Sequence, residues 1–188
     1  MNATVRPLAV VSPIALAVGI LGLIPFLALT GLAWRAPHGH TTWPFDLLYG
    51  YAAVILSFIG AVHWGVALQQ AKAPPFLLLW SVLPALMGWS ALGLPYAAGS
   101  IALVVAFVLC WMVDLRLTWV GYLPRWYMNL RHGLTAVVIL CLVATWPLVN
   151  PALGRHFIPA HDFIQSPHSP QGKHPQWVQE LMTPGIEV

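Results

Sequence analysis

Five long apolar stretches, separated by short polar or Pro- and Gly-containing segments, dominate the first 150 residues of the chain. An α-helix rises about 1.5 Å per residue and the hydrocarbon core of a bilayer is about 30 Å thick, so roughly 20 apolar residues make one span. The pattern therefore predicts an all-α, polytopic membrane bundle of five transmembrane helices in residues 1–150, with spans at about 10–34, 47–68, 76–94, 97–113 and 134–149.

Prolines and glycines refine this picture. The Gly93-Leu94-Pro95 segment predicts a tight turn, which makes the third and fourth spans an antiparallel hairpin. Pro25 and Pro84 lie inside the first and third spans, where each should kink its helix because proline lacks the amide hydrogen.

The chain changes character after about Asn150. Residues 151–188 contain six prolines and four histidines, which predicts an extended arm. Within the arm, a short helix is expected at about 175–182, with one face formed by Trp177, Val178, Leu181 and Met182. A two-turn helix is unstable alone, so we expect this face to dock on a partner.

Charge sets orientation and excludes one class of partner. Only 7% of the residues are charged, against 59% apolar, and the eight basic residues form no run that would bind nucleic acid. The inner side of a membrane carries the excess of Lys and Arg in short loops. That excess lies on the side of the amino terminus and of the loops after spans two and four, at Arg6, Lys72, Arg116, Arg125 and Arg131. The amino terminus is therefore predicted to be cytoplasmic, or in the matrix of a mitochondrion, with the arm on the far side.

Small residues recur every four positions in the spans, which favours close helix packing in lipid. The predicted packing stripes include Ala53, Ser57, Ala61 and Gly65 in span two, and Ala98, Ala102, Ala106 and Cys110 in span four. Asp114 extends the second of these stripes by one more step, so it should face the bundle interior at the inner end of span four.

Ionisable residues converge on this inner leaflet and form a predicted polar cluster. Asp114 should pair with Arg131 or Arg116, while His63 and His132 lie at a similar depth. A functional interpretation makes the histidines proton carriers, quinone contacts or a pair of haem ligands. A structural interpretation makes the cluster an ion pair that fixes helix register, with His63 in an interhelical hydrogen bond worth on the order of 1 kcal/mol.

The segment between spans four and five is rich in aromatic and basic residues. We expect a loop from Arg116 to Arg131 along the membrane interface, in contact with phospholipids. Its predicted lipid-facing residues are Trp119, Tyr122, Arg125, Trp126 and Tyr127.

Motifs for common chemistry are missing from the sequence. It contains no nucleophile with a base, no glycine-rich phosphate loop and no paired carboxylates, so we predict that the protein is not an enzyme. Six histidines lie on the far side, and neutral imidazoles could bind copper or zinc. Their spacing matches no fixed metal motif, and no metal site is predicted.

Several segments together resemble a known family. They are GLIPF (residues 22–26), YGYAAVILSFIGAVHWG (49–65), SVLPALMGW (81–89), and Asp114 followed by LPRWYMNLRHGLT (123–135). They are similar to a domain-of-unknown-function family of small proteobacterial inner-membrane proteins that includes mitochondrial transmembrane protein 69. The resemblance implies an energy-transducing inner membrane, and that His63, Trp64, Gly65, Asp114 and Arg131 belong to the family signature.

The leading expectation is a non-catalytic accessory subunit of a larger inner-membrane complex, such as a respiratory or other electron-transfer assembly, in a bacterial rather than a mitochondrial membrane. Its partners would be other membrane subunits and phospholipids, with no cofactor. The alternative is a small membrane protein that binds haem or quinone beside His63, Asp114, Arg131 and His132.

Overall fold

A computed structural model describes residues 13–35, 42–72 and 74–150. Within these residues all regular structure is helical: α1 (Pro13–Leu21), α2 (Ile24–Arg35), α3 (Trp43–Leu68), α4 (Pro75–Leu92), α5 (Tyr96–Val120) and α6 (Arg125–Val149). Five segments are long and apolar enough to cross a membrane, with α1 and α2 sharing the first. The predicted all-α, polytopic membrane bundle is confirmed. The predicted arm, with its helix at about 175–182, lies outside the described residues.

The first span is broken rather than continuous. Residues Gly22 and Leu23 form a turn between α1 and α2, and Pro25 follows in the first turn of α2. Proline cannot donate the amide hydrogen that would continue the helix. The hydroxyl of Tyr51 on α3 donates to the carbonyl oxygen of Gly22 at 3.0 Å, so a backbone group at the break has a partner inside the bundle.

Two glycines let α3 and α4 approach closely. A Cβ atom added at Gly60 would lie 2.2 Å from the Ser81 carbonyl oxygen, and one added at Gly88 would lie 2.9 Å from the Ala53 Cα. Both contacts are with backbone atoms, which cannot move aside as a flexible side chain would. The α3–α4 packing therefore depends on the absence of a side chain at these two positions.

Prolines and glycines mark the ends of the later helices. Pro95 and Pro124 directly precede α5 and α6, and Gly93 follows α4, so the predicted tight turn between spans three and four is confirmed. Gly121 ends α5 in the left-handed conformation, with φ of 91°. The amide of Tyr122 then donates to the Leu117 carbonyl, which closes the helix end.

The prediction of a loop from Arg116 to Arg131 is wrong, whereas the placement of this segment at the membrane interface stays a prediction. Helix α5 continues to Val120 and α6 already begins at Arg125, so only a four-residue turn separates them. The prediction ended the spans where the apolar runs end. Charged residues, however, do not end a helix, and here the left-handed Gly121 and then Pro124 mark the turn.

The helices surround one apolar core. Helix α3 packs against α2, α4 and α5, and α6 packs against α5, α2 and α1. Buried core residues include Phe26, Leu48, Leu56, Leu103, Phe107 and Leu142. The outer surface is also apolar, with exposed tryptophans at helix ends, as expected for lipid contact and interfacial belts; examples are Trp34, Trp43, Trp89 and Trp119.

Most of the small-residue stripe predicted for span two is left uncovered by the other helices that the structure describes. Ala53 is buried against Gly88, but Ser57 and Ala61 are exposed. The buried face of α3 instead carries Leu56, Gly60 and His63. The four-residue spacing predicts a face for close packing, and most of this face lies on the outer surface of the bundle. The stripe in span four fits the structure better, because Ala106, Cys110 and Asp114 are buried.

Candidate functional site

Three ionisable side chains meet at one end of the bundle, each from a different helix. His63 lies five residues before the end of α3, Asp114 lies six before the end of α5, and Arg131 lies six after the start of α6. At about 1.5 Å per residue, each is roughly 8–9 Å inside its helix end. We call His63, Asp114 and Arg131 the charged cluster.

Asp114 is the centre of the charged cluster and has no exposed surface. Its Oδ2 atom accepts a hydrogen bond from the Arg131 Nε at 2.8 Å. The Tyr127 hydroxyl donates to the same oxygen over a longer distance of 3.4 Å. Its Oδ1 atom lies 2.8 Å from the His63 Nε2. A single carboxylate thus connects three helices.

His63 is fully buried, and both of its ring nitrogens face oxygen atoms. Nδ1 lies 3.1 Å from the carbonyl oxygen of Ile59, one turn earlier on α3. Nε2 makes the contact with Asp114, but the ring N–H direction misses Oδ1, so this contact is close without being an aligned hydrogen bond. His63 therefore lies on the internal face of α3, where it bridges to α5.

Apolar side chains enclose the charged cluster on both sides. Towards the centre of the bundle lie core residues such as Ile59, Phe107 and Cys110. Towards the near end lies a second apolar cluster formed by Ala67, Leu77, Leu117 and Leu123. Water is therefore kept from the charges, which strengthens their mutual attraction and makes an unpaired charge costly.

Two polar atoms next to the cluster have no partner. The Arg131 Nη2 is buried without a hydrogen bond, and so is the Thr135 Oγ1, one turn further along α6. The guanidinium is therefore only partly satisfied by Asp114. Its remaining hydrogens could donate to an acceptor such as a carbonyl or a water molecule.

His132 was predicted in the same polar cluster, but the structure directs it elsewhere. Its side chain is exposed, and its Nδ1 accepts a hydrogen bond from the Trp111 Nε1 at 2.8 Å. Adjacent helical residues differ in direction by about 100°, so Arg131 and His132 cannot both face the interior. His63 and His132 do not face each other as a pair of haem ligands would. Arg116 is also exposed, and the partner of Asp114 is Arg131.

The residues predicted to face lipid differ in their exposure, and one of them contacts the charged cluster. Trp119 and Arg125 are exposed near the inner helix ends, and Tyr122 and Trp126 are partly buried. Tyr127 is different, because its hydroxyl reaches Asp114. The sequence analysis missed this role because it placed Tyr127 in a loop rather than one turn before Arg131 on α6.

A second set of polar residues was missed entirely. Tyr49, Ser100 and Thr145 are buried at the other end of the same three helices. Ser100 Oγ and Thr145 Oγ1 both donate to the Leu142 carbonyl, at 3.3 Å and 2.9 Å. The Tyr49 hydroxyl lies beside both hydroxyls, without an aligned hydrogen bond to either. We call Tyr49, Ser100 and Thr145 the neutral cluster.

The structure says less about the other predicted sites. Among the residues that the structure describes, no three His, Cys, Asp or Glu side chains come together as a metal site. The proposed docking residues, Trp177, Val178, Leu181 and Met182, lie outside the described residues. The chemistry that the described site offers is ion pairing, hydrogen bonding and the holding of a proton.

Comparison with known proteins identifies a family. The model of a family described as a protein of unknown function (DUF3429) matches residues 11–147. The chain is similar to Transmembrane protein 69 of Xenopus tropicalis, with 32% identity over 145 residues. That match covers 76% of this chain but 56% of the relative, so the chain spans little more than half of the relative's length. No solved structure matches the chain.

Proposed function

This chain belongs to the DUF3429 family, and we propose that it is a non-catalytic accessory subunit of a larger inner-membrane complex. The complex would be a respiratory or other electron-transfer assembly. In this role the protein contributes to assembly and stability through helix packing, and residues 151–188 form an arm that docks on a partner.

One observation carries the proposal. Ser57, Ala61 and Gly65 form a stripe of small residues on α3, and none of the other helices that the structure describes covers Ser57 and Ala61. A Cβ atom added at Gly65 would meet nothing within 4 Å. In lipid, small residues at four-residue spacing favour the close approach of another helix. The exposed stripe therefore suits a transmembrane helix of a partner subunit.

The charged cluster supports the same proposal. Its groups pair mainly with one another across α3, α5 and α6, and apolar residues enclose them. Such an arrangement suits a fixed helix register better than repeated turnover of a substrate. The protein would then present a rigid outer surface to its partner.

Topology and lipid contact complete the proposal. The end of the bundle with the charged cluster is also the end with Arg116 and Arg125, which by the positive-inside rule lies in the cytoplasm of a bacterium. Residues 151–188 would lie in the periplasm. Trp119 and Arg125 would contact the headgroups of anionic phospholipids, with about 1 kcal/mol for each basic residue.

A substitution on the exposed stripe tests the proposal. The full-length protein is purified from its native membranes in mild detergent, and its complex is sized and its subunits are identified by mass spectrometry. We expect the wild type to migrate with subunits of an electron-transfer complex. Ala61→Phe should move it to the size of the free protein, because the added ring prevents helix approach.

A matched variant controls for general damage. Ala136 is also an exposed alanine, but it lies on α6 outside the stripe. Ala136→Phe should leave the complex intact, and both variants should keep the helical content of the wild type. A wild-type protein that is monodisperse and alone, or an Ala61→Phe variant that still migrates in the complex, would contradict the proposal.

A second candidate function is the binding of a quinone. It is favoured by the buried Arg131 Nη2, which has a hydrogen to donate and no partner for it. A quinone carbonyl is a suitable acceptor. Solvent extraction of the purified protein tests this candidate: a stoichiometric quinone that disappears in Arg131→Lys would support it, and an extract without quinone would remove it. An optical spectrum without a Soret band would remove haem.

A further inference from the structure

The two ring nitrogens of His63 impose a proton count on the charged cluster. Nδ1 lies 3.1 Å from the Ile59 carbonyl oxygen in hydrogen-bonding geometry. A carbonyl oxygen only accepts hydrogen bonds, so Nδ1 must carry a hydrogen to make this bond. In a neutral imidazole with Nδ1–H, the other nitrogen has a lone pair and no hydrogen.

Nε2 also faces an oxygen, and at a shorter distance. It lies 2.8 Å from the Asp114 Oδ1, within the range of a hydrogen bond between a nitrogen and an oxygen. The other oxygen, Oδ2, already accepts from the Arg131 Nε and the Tyr127 hydroxyl. A bare Nε2 would therefore hold a nitrogen without a hydrogen, and its partial negative charge, 2.8 Å from an ionised carboxylate oxygen, although the ring is not aligned for a hydrogen bond to that oxygen. A proton between the two atoms removes this repulsion, whether it is bonded to Nε2 or to Oδ1.

We propose that His63 and Asp114 together form a buried binding site for one exchangeable proton. The proton adds to the one on Nδ1 and lies between Nε2 and Oδ1. It is taken up from water outside the bundle, beyond the apolar cluster of Ala67, Leu77, Leu117 and Leu123, and no electron is transferred. With the guanidinium of Arg131, the occupied charged cluster carries one net positive charge. This inference does not depend on the accessory role or on any partner.

The neighbouring helices do not supply a competing acid or base. Helix α4 contains no ionisable side chain, and the charged residue of α2, Arg35, is its last residue, at the opposite end of the bundle. The described ionisable groups that face His63 come from α5 and α6. They are Asp114 and Cys110 on α5, and Tyr127 and Arg131 on α6. Among these described groups, the carboxylate of Asp114 is the one that carries a negative charge and would attract the proton.

Occupancy of the site would change the contact between two helices. With the proton present, the contact between α3 and α5 is attractive, and a small rotation of the His63 ring would align it as a hydrogen bond that is assisted by charge. Without it, a nitrogen without a hydrogen and a carboxylate are held within 2.8 Å of each other, and the two helices repel at this point. The proton is therefore a ligand that stabilises one packing of α3 against α5.

Nuclear magnetic resonance of the histidine rings tests the proposal directly. The full-length protein, labelled with ¹⁵N in its histidines, is placed in lipid nanodiscs at neutral pH. The His63 signals are those that disappear in His63→Gln, and His132→Gln is the matched control, which should leave them in place. Infrared spectroscopy of the same samples detects a protonated carboxylic acid, and Asp114→Asn identifies its source.

Two results support the site. In one, both nitrogens of the His63 ring carry hydrogens. In the other, only Nδ1 does, and a carboxylic acid band is present that Asp114→Asn removes. A His63 ring with one hydrogen, together with no protonated carboxylic acid, would overturn the proposal. All three results are obtained on the wild-type protein without a partner, so they do not bear on the proposed accessory role.

Discussion

Two layers of buried polar side chains cross the same three helices, and they differ in charge. Fourteen residues separate the two layers on every helix: Tyr49 and His63 on α3, Ser100 and Asp114 on α5, and Arg131 and Thr145 on α6. This spacing is about four helical turns, or roughly 21 Å along each axis. The charged cluster and the neutral cluster thus bracket the apolar core from its two ends.

The two layers satisfy their polar groups in different ways. In the neutral cluster, Ser100 and Thr145 both donate to one backbone carbonyl, that of Leu142. Each of these two hydroxyls therefore has a partner on its own helix or on the neighbouring one. In the charged cluster, Asp114 depends on side chains from two other helices. Loss of one hydroxyl therefore leaves the neutral cluster largely satisfied, whereas loss of Asp114 or of Arg131 leaves the opposite charge buried without its partner.

The comparison indicates what each layer contributes. Hydrogen bonds between side chains of neighbouring helices in lipid contribute about 0.6 kcal/mol each on average. A buried ion pair contributes little net stability, but breaking it by removing one partner costs about 3–5 kcal/mol. We infer that the charged cluster makes one register of α3, α5 and α6 far more stable than the alternative registers. The neutral cluster adds a modest attraction between the helices.

The largest expected effect is that of removing the carboxylate. Asp114→Ala leaves Arg131 buried without its counter-charge, and His63 loses its interhelical partner. We expect the free energy of unfolding to fall by about 3–5 kcal/mol. The measurement is an unfolding titration with sodium dodecyl sulfate in mixed micelles, monitored by circular dichroism.

Asp46 supplies the matched control for this substitution. It is exposed, and it accepts a hydrogen bond from Tyr96 near the opposite end of the bundle. Asp46→Ala removes the same atoms from a solvated site, so it should cost less than about 1 kcal/mol. Equal losses for the two variants would show that burial of Asp114 does not distinguish the charged cluster.

A paired substitution sharpens the comparison. Replacing Asp114 and Arg131 together by leucine removes both charges, so no buried ion is left unpaired. We expect the double variant to be more stable than either single leucine variant by about 2 kcal/mol or more. The same titration measures all four proteins of the cycle. If the two single losses simply add in the double variant, Asp114 and Arg131 do not stabilise each other in the folded protein.

The neutral cluster should respond more weakly. Tyr49→Phe removes a buried hydroxyl that lies beside Ser100 and Thr145 but has no aligned hydrogen bond. Because this hydroxyl has no aligned partner to lose, we expect the free energy of unfolding to change by no more than about 1 kcal/mol. Tyr122→Phe, at a partly buried position near the inner helix ends, is the matched control and should have no measurable effect. A loss comparable to that of Asp114→Ala would remove the distinction between the layers.

The sequence alone was sufficient for the number of spans and for much of the charged cluster. Asp114 continues a stripe of small residues at four-residue spacing, and this spacing placed it on the buried face of α5. Arg131 follows on the next helix at a similar depth, so it was one of the two predicted partners of Asp114, with Arg116 as the other. Both inferences depend on helical periodicity, which the observed helices follow.

The remaining features needed the three-dimensional packing. Hydroxyl groups do not interrupt an apolar run, so Tyr49, Ser100 and Thr145 gave no signal of a polar layer. The stripe on α3 shows the converse limit, because the spacing of Ser57 and Ala61 indicates a face for close packing without saying which helix covers it. The ends of α5 and α6 were missed because charge was taken as the end of a helix, although Gly121 and Pro124 mark the turn in the sequence.

The smallest expected effect concerns two threonines on the same helix. Thr145 Oγ1 donates to the Leu142 carbonyl, whereas Thr135 Oγ1 is buried without a partner. Valine has the same shape as threonine but no hydroxyl, so Thr145→Val loses a hydrogen bond and should cost about 0.5–1 kcal/mol. Thr135→Val instead removes an unsatisfied polar atom, so it should be neutral or stabilise the protein by a few tenths of a kcal/mol.

A destabilising effect of Thr135→Val would have an equally specific explanation. Thr135 lies one turn from Arg131 on α6, and the Arg131 Nη2 is also buried without a partner. A water molecule held between these two groups would give both a hydrogen bond. In that case Thr135→Val would cost as much as Thr145→Val, and Arg131→Lys would reduce the difference between threonine and valine at position 135. The sign of the effect at Thr135 therefore decides whether the charged cluster ends at Arg131 or extends one turn further along α6.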